Sequence, residues 1–251
     1  MDDDPARTIE LLWGTRQRPR RGPRHALTSE QVVAAAIALA DADQDLHALS
    51  MRRVADSLGV GTMSLYTYVA SRNELVEAML DTVHGEAVER LRQLTPGDWR
   101  SGLRHVAAVG WQTYLSHPWM LQVFTGRPPL GPRTIAKYDL ELRVVDGIGL
   151  TDVEMDGVIT LVHTHVEGVA RRKLEAERAE RRSGITDVQW WAVAGPALAV
   201  VLDPERFPVA ARVGSAAGQV HQAAYDVDYE YTFGLDRIIE GTAALIGRSG
   251  T

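Results

Sequence analysis

Apolar residues recur with a period near 3.6 along most of the chain, which is the pattern of amphipathic helices. The clearest example follows Thr28, a predicted N-cap whose partner in a capping box is Gln31, and this helix is predicted to end at 41–43. No stretch shows the two-residue alternation of a half-buried strand. The pattern therefore predicts an all-α fold.

Shorter elements are predicted directly after this first helix. A second helix should start at Ser50 and stop at Gly59, where a left-handed residue is expected, and a third occupies barely two turns after Gly61. Ser71 and Glu74 predict another capping box, which opens a helix on the order of 30 Å long that ends before Pro96-Gly97. Later helices are predicted near 99–116, 133–147, 152–181, 187–201 and 229–247. The sequence of 203–228 predicts no clear secondary-structure element.

The net charge of −6 is distributed unevenly along the chain. Residues 16–73 carry +3, so the remainder carries −9, and a basic head of this kind favours contact with phosphates. The chain has no cysteine, no long apolar run, and an acidic start at Met1-Asp2-Asp3-Asp4. These features predict a soluble cytoplasmic protein without disulfides, membrane segments or a signal peptide.

The second and third predicted helices carry the spacing of a helix-turn-helix. Ala55 supplies the small residue at the helix crossing, Gly59 the turn, and Leu65 the apolar anchor under the second helix. In such a motif the second helix presents its N-terminal residues to the major groove of DNA.

The segment from Ser50 to Val69 resembles the DNA-binding motif of the TetR family, and 117–119 and 231–241 are more weakly similar to the tetracycline-repressor-like C-terminal domain. The resemblance implies an N-terminal three-helix DNA-binding domain followed by a helical ligand-binding and dimerisation domain. It implies a ligand-responsive regulator, most often a repressor, that binds an inverted-repeat operator as a homodimer and is released by a small-molecule effector. The corresponding division is a flexible basic arm at 1–26, the helix-turn-helix domain at 27–73, and the effector-binding and dimerisation domain at 74–251. No cofactor is expected.

The candidate DNA-binding residues lie on or beside the two helices of the motif. Arg52 and Arg53 occupy a helix's first turn, where the macrodipole disfavours cations, so a phosphate partner is one interpretation and a solvated turn is the other. Tyr66 is placed on the DNA backbone by the resemblance. The complete set of candidates is Ser50, Arg52, Arg53, Thr62, Met63, Ser64, Tyr66, Thr67, Tyr68 and Arg72. The arginines at 16, 18, 20, 21 and 24 are either a DNA-contacting arm or a disordered one.

Aromatic and histidine side chains of the C-terminal half are the candidates for effector contact. They are Trp111, Tyr114, Trp119, Phe124, Tyr138, His163, His165 and Trp190, and each is also compatible with a role in the core. His165 lies in the middle of an apolar helix face, where it needs a hydrogen-bond partner from the effector or from the protein. His163 and His165 point about 200° apart on a helix and cannot share a metal ion.

Apolar faces on the helices near 187–201 and 229–247 predict a dimer interface, with closure of the monomer's own core as the alternative. Two other function classes also stay open. One is a helical enzyme using His163, His165 or Glu167, although no catalytic signature supports it. The other is an architectural DNA-binding protein that has no effector.

Overall fold

The computed structural model describes residues 4–15, 27–93, 97–123 and 127–249, and over these residues the chain is entirely helical. The helices are α1 (Pro5–Leu12), α2 (Ser29–Asp43), α3 (Met51–Leu58), α4 (Thr62–Leu65), α5 (Arg72–Leu91), α6 (Trp99–Ser116), α7 (Pro132–Leu142), α8 (Asp152–Ser183), α9 (Asp187–Val201), α10 (Pro208–His221) and α11 (Val227–Ser249). A 3₁₀ turn, Pro118–Gln122, follows α6. The all-α prediction is confirmed. None of the described helices is long and apolar enough to cross a membrane.

Local sequence signals set the helix boundaries in the N-terminal half. Thr28 caps α2 in a capping box with Gln31, Ser50 caps α3, and Ser71 caps α5 through the amide of Glu74. Gly59 ends α3 with φ +67°, a left-handed conformation that glycine adopts without steric cost. The predicted starts of these three helices and the predicted ends of α2 and α3 are therefore confirmed, whereas α5 ends at Leu91, before the predicted Pro96-Gly97.

The N-terminal segment differs from the flexible arm expected over 1–26, because residues 5–12 form α1. Asp4 caps this helix and Pro5 occupies its first turn, a position that tolerates the missing N–H. The helix is held by tertiary contacts: the Trp13 indole donates to the carbonyl oxygen of Leu130 at 2.8 Å, and Leu11 and Leu12 pack on the core. The arginines at 16–24 lie outside the described residues.

Two further elements differ from what the apolar periodicity of the sequence predicts. The helix predicted over 133–147 ends at Leu142, and the chain then turns to Gly147, which has φ +70°. The stretch 203–228, for which no clear element is predicted, contains α10. Many small residues obscure the apolar periodicity of this helix, and none of its side chains is buried.

The molecule has two main apolar cores. The first joins α2, α3 and α4 to the N-terminal half of α5, with Val32, Val54, Leu65 and Met79 completely buried. The second lies among α6, α8 and α11 and takes in the C-terminal end of α5. Because α5 contributes to both cores, it is the continuous rigid element that connects the two halves.

A buried carboxylate fixes α5 against α7. Asp81 of α5 is 1% exposed, and its Oδ1 accepts from the backbone amides of Arg133 and Thr134 and from the Thr134 hydroxyl at 2.8–3.1 Å. These amides belong to the first turn of α7, whose own N-cap, Gly131, has no side chain to offer. Asp81 therefore caps α7 from a neighbouring helix.

Candidate functional site

The α3–turn–α4 unit packs on a base of buried apolar residues. Val54 and Ala55 of α3 and Leu65 of α4 are fully buried, and Val69 closes the same core after α4. The spacing of the motif predicted this arrangement. Since α4 has four residues, its position depends on this base rather than on intrinsic helical stability.

The opposite face of α4 and the turn after it is open to solvent. Met63 is 78% exposed and Tyr66 39% exposed, while Ser64 and Thr67 are also exposed. Thr62 and Tyr68 are half-buried, and Tyr68 packs partly on the core. The structure thus brings hydroxyl groups and one thioether together on one surface, which we call the recognition surface (residues 62–68). Such groups can reach base edges and phosphates.

The three candidate arginines have different surroundings. The side chain of Arg52 is 85% exposed and has only a distant contact with Asp56 at 3.9 Å, one turn along α3. Arg53 instead donates to Asp43 at 2.5 Å and to the carbonyl oxygen of Ala48, and this ion pair raises the pKa of Arg53 and lowers that of Asp43. The cation in the first turn of α3 is therefore locally compensated at Arg53 but scarcely at Arg52.

Arg72 lies at the start of α5 and holds the loop between α2 and α3. Its guanidinium donates to the carbonyl oxygens of Leu49 and Leu46 at 3.1 and 2.6 Å. Ser50 has a comparable local task, since its side chain accepts from the Arg53 amide as the N-cap of α3. Both residues position the recognition surface through backbone contacts.

A polar cluster connects the two halves, and we call it the domain joint. The carboxylate of Asp41, near the end of α2, accepts from the Trp119 indole and contacts His117 Nδ1, both at 2.8 Å. Gln122 donates to the carbonyl oxygen of Gln44 and accepts from the Leu46 amide at 2.9 and 2.8 Å. Gln44 itself ends α2 in a left-handed conformation, with φ +52°. The 3₁₀ turn after α6 is thereby fastened to the end of α2.

In the C-terminal half, two effector candidates meet at the crossing of α8 and α11. His165 donates from Nε2 to the carbonyl oxygen of Tyr231 at 2.9 Å, and the Tyr231 ring lies 5.0 Å from that of Trp111. Gly234 lets α11 approach, because a Cβ there would lie 2.2 Å from His165 Cε1. His165 is therefore satisfied within the protein, as one of the two interpretations of its sequence position expected.

A second group of candidates lies between α7 and α8. His163 Nε2 is 3.0 Å from the carboxylate of Glu141, which is 2% exposed and also bound by Lys137 at 2.6 Å. Burial alone would raise the pKa of Glu141, but the opposing effects of Lys137 and His163 are larger and hold it below its usual value. The neighbouring Tyr138 is partly exposed and donates to Asp156 at 2.7 Å.

Of the remaining candidates, Trp119 and Trp190 lie apart from these groups. Trp119 is completely buried in the domain joint, and Trp190 is half exposed beside Trp191 on α9. Phe124 lies outside the described residues. Tyr114, on α6, has its pKa raised by burial and by the charges of Glu167 and Glu141, so its hydroxyl is protonated at neutral pH.

Two of the cavities in the described part of the chain lie away from the effector candidates, none of which lines either one. A space of about 520 Å³ lies between α1, the start of α5 and the segment after the 3₁₀ turn, with Arg72, Val76 and Leu130 in its wall. A groove of about 480 Å³ on the outer face of α8 and α11 is lined by Leu161, Ile238 and other residues. Within the described part of the chain, no group of three or more potential metal ligands is present.

Sequence reasoning missed the acidic residues that organise the C-terminal half and the domain joint. Glu141 follows Lys137 by four residues, which looks like an ordinary surface ion pair on a helix. Asp41 and Asp81 have no local signature at all, because their partners are 50 or more residues away. Only knowledge of which helices pack together could have identified them.

The helices predicted for dimerisation divide into two kinds. Leu235 and Ile239 of α11 are buried against α8 in the second core, as the intramolecular alternative expected for them. The other predicted helix, α9, buries no residue, and its Val193 and Val200 are 74% and 86% exposed. The helix α10, for which no interface was predicted, buries no residue either. Large exposed apolar surfaces of this kind mark interaction sites in soluble proteins.

Comparisons with known proteins agree with this architecture. Residues 32–79 match the family described as bacterial regulatory proteins of the tetR family, and residues 93–246 match the tetracyclin repressor-like C-terminal domain. The chain is 42% identical to the HTH-type transcriptional repressor DrrR1 of Streptomyces coeruleorubidus over 98% of its own length and 88% of that protein.

Solved structures give the same result. The Streptomyces coelicolor TetR family protein ActR in complex with actinorhodin matches with a TM-score of 0.71 and 28% identity, over 88% of this chain and 99% of that one. Apo ActR matches with a TM-score of 0.70 and 26% identity, over 89% and 98%. These relatives are regulators of transcription, so the enzyme alternative is not supported. The chain belongs to the TetR family of bacterial transcriptional regulators.

Proposed function

We propose that this protein is a repressor that binds an inverted-repeat operator as a homodimer and is released by a small-molecule effector. The observation that carries the proposal is the recognition surface, an exposed polar face on a four-residue helix that is anchored by the buried Leu65. The 42% identical relative is itself named a transcriptional repressor. A regulator of this kind acts in the cytoplasm, where the chromosome lies.

DNA contact is assigned to the surface formed by α4 and the first turn of α3. Arg52 is the phosphate contact, because its exposed guanidinium has no close carboxylate among the described contacts. Met63, Ser64 and Thr67 are the base-reading residues, and Tyr66 contacts the DNA backbone. Arg53 and Arg72 serve by holding the loops that orient this surface.

Homodimerisation is assigned to the exposed apolar surface of α8, α9, α10 and α11. The groove lined by Leu161 and Ile238 runs along α8 and α11. The helices α9 and α10 bury no residue in the monomer and add further exposed apolar side chains. A two-fold axis through this surface would present two recognition surfaces to successive major grooves, which requires a palindromic operator.

Effector control is assigned to the interior bounded by α5, α6, α7 and α8. The ligand of ActR in the matched structure is actinorhodin, a small molecule. Because α5 belongs to both cores and Asp81 fixes it to α7, a ligand that separates α7 from α8 would move α5 relative to the domain joint. The ligand then shifts the population toward dimers whose recognition surfaces no longer match the operator spacing.

The first test is a fluorescence-anisotropy titration of the purified protein with DNA flanking its own gene, at several salt concentrations. We expect tight binding to one inverted repeat, and we expect Arg52→Ala to weaken binding and reduce the salt slope by about 1 per lost phosphate contact. Arg143→Ala is the matched control, because Arg143 directly follows α7, away from α3 and α4, and its side chain is 71% exposed. Equal effects of the two substitutions, or equally weak binding to every duplex, would contradict the assigned surface.

A further inference from the structure

The buried carboxylate of Glu141 has one oxygen without a hydrogen-bond partner. Its Oε1 is shared by Lys137 Nζ at 2.6 Å and His163 Nε2 at 3.0 Å, whereas Oε2 is fully buried and accepts no hydrogen bond. A buried acceptor left unsatisfied costs about 1–3 kcal/mol, so such atoms are normally paired with protein, water or ligand. The free oxygen therefore marks a position where a partner is missing.

The missing partner must be a donor. The pKa of Glu141 is held below its usual value, so the carboxylate is ionised at neutral pH and can only accept hydrogen bonds. Its charge is already balanced by Lys137 at 2.6 Å, and a second cation at Oε2 would be repelled by that ammonium group. An uncharged donor, such as a hydroxyl group, suits the position best.

Two polar side chains near Glu141, His84 and Tyr114, are uncharged. Burial, reinforced by the nearby charge of Lys137, lowers the pKa of His84 to about 3, so this histidine is neutral. The Thr134 hydroxyl donates to Asp81, so at 2.8 Å from His84 Nδ1 it can only accept, and His84 must donate to it. Tyr114 is protonated, as described above. The interior around the Glu141–Lys137 pair thus favours a neutral molecule.

Glu141 lies close to the surface between α7 and α8. The side chain of Glu141 is 2% exposed, but those of Lys137 and His163 are 15% and 37% exposed, so the carboxylate lies one side chain below the surface. A ligand would enter by displacing His163, which is the more exposed of the two side chains that contact Glu141.

We propose that Glu141 Oε2 is the acceptor by which the C-terminal half recognises its effector, and that the effector is an uncharged, largely apolar molecule with a hydroxyl donor. This inference rests on the proposed function, since it names the chemistry of the effector assigned there. It also makes Lys137 and His163 positioning residues, because they hold Oε1 and leave Oε2 to the ligand.

The test compares three probes of the same ring system on the protein without DNA, by calorimetry or ligand-detected NMR. They are 2-naphthol, which has a neutral donor, 2-methoxynaphthalene, which has none, and 2-naphthylmethylammonium, which is a cation. A neutral donor bound to a buried carboxylate should make 2-naphthol bind about tenfold or more tightly than the methoxy compound. The cation should bind no better than the methoxy compound.

The Glu141→Gln variant locates the effect. Lys137 is a donor only, so the amide oxygen of glutamine must face it, and the NH₂ group then replaces Oε2, which turns the acceptor into a donor. The preference for 2-naphthol should fall to near unity in this variant and persist in Glu89→Gln, an exposed α5 control. Circular dichroism checks that the variant folds, and the wild-type comparison stands without any variant.

Equal affinities for 2-naphthol and the methoxy compound would overturn the inference, as would tighter binding of the cation or no binding of any probe, which is the result expected if a resident water satisfies Oε2. A preference that survives in Glu141→Gln would overturn it too. These measurements are made without DNA and are independent of the operator titration. Intact operator binding with no preference for the hydroxyl probe would therefore refute the role of Glu141 and leave the proposed function standing.

Discussion

At the scale of the residue, the interior of the C-terminal half is defined by a few titratable groups whose charge states are set by burial. His84 is the clearest case, because desolvation and the charge of Lys137 lower its pKa from 6.5 to about 3. The hydrogen bond that it donates to Thr134 places it next to the capping contact between α5 and α7. Its neutrality is therefore part of the connection between these two helices.

This histidine should make the stability of the protein depend on pH. Above pH 6.5 it is neutral in both the folded and the unfolded state, whereas between pH 6.5 and about 3 only the unfolded chain binds the proton. Stability is thus complete above pH 6.5 and decreases as the pH falls, by up to about 1.4 kcal/mol per pH unit. We expect the free energy of unfolding in urea to fall between pH 7 and 5 by about 2 kcal/mol more in the wild type than in His84→Asn.

His47→Asn is the control for this experiment, because His47 lies exposed in the loop before α3. It should retain the pH dependence of the wild type. If the free energy of unfolding of His84→Asn and of the wild type falls equally between pH 7 and 5, protonation of His84 is not the cause of the loss of stability.

At the scale of the element, the contact between α5 and α7 is built from a side chain of one helix and the first turn of the other. Gly131 is required there, since a Cβ would lie 2.1 Å from Asp81 Oδ1, which is backed by a buried environment. The backbone of Gly131 has φ −87°, which any residue adopts, so the restriction is purely steric.

We therefore expect Gly131→Ala to reduce the free energy of unfolding by about 1–3 kcal/mol, because Asp81 must move away from the amides that it caps. Gly157→Ala is the matched substitution within α8, where nothing lies within 4 Å of the added Cβ. It should be neutral or stabilising by up to about 1 kcal/mol, since alanine favours helix. Denaturant titrations of the two variants give the comparison, and equal stability of both would contradict the close contact.

The same elements show how far the sequence could predict the structure. Caps such as Thr28 and Ser50 act within one turn, so the helix boundaries and the helix-turn-helix followed from neighbouring residues. The recognition surface was predicted for the same reason, because its orientation depends on the local spacing of Leu65 and Val69. The polar groups between α5, α7 and α8 were not predicted, because Glu141 and Asp81 acquire their partners from helices distant in sequence.

At the scale of the whole molecule, the C-terminal half exposes large apolar side chains on four of its helices, α8, α9, α10 and α11. Leu161 of α8 is 57% exposed and Phe233 of α11 is 49% exposed, and the helices α9 and α10 bury no residue. Burying this surface against a second copy would remove it from water and align two recognition surfaces.

We expect sedimentation analysis to give the mass of two chains for the wild type and a shift toward one chain for Leu161→Glu, because the charge would be buried without a partner. The affinity of Leu161→Glu for an inverted repeat should fall as its dimerisation weakens, while the helical signal in circular dichroism is retained. Ile135→Glu, which places the same charge at a 43% exposed position on α7, should remain dimeric. Dimerisation of Leu161→Glu at wild-type strength would place the interface elsewhere.

The first core has a consequence for protein engineering, because it does not stop where the DNA-binding domain was expected to end at residue 73. Leu75, Val76 and Met79 of α5 and Trp119 of the domain joint are buried in it. A chimera that joins this recognition surface to a foreign sensor at residue 73 would leave those partners behind and expose an incomplete core. Operator specificity should be transplanted by exchanging the exposed residues of 62–68, with the recipient's own α5 and 3₁₀ turn kept in place.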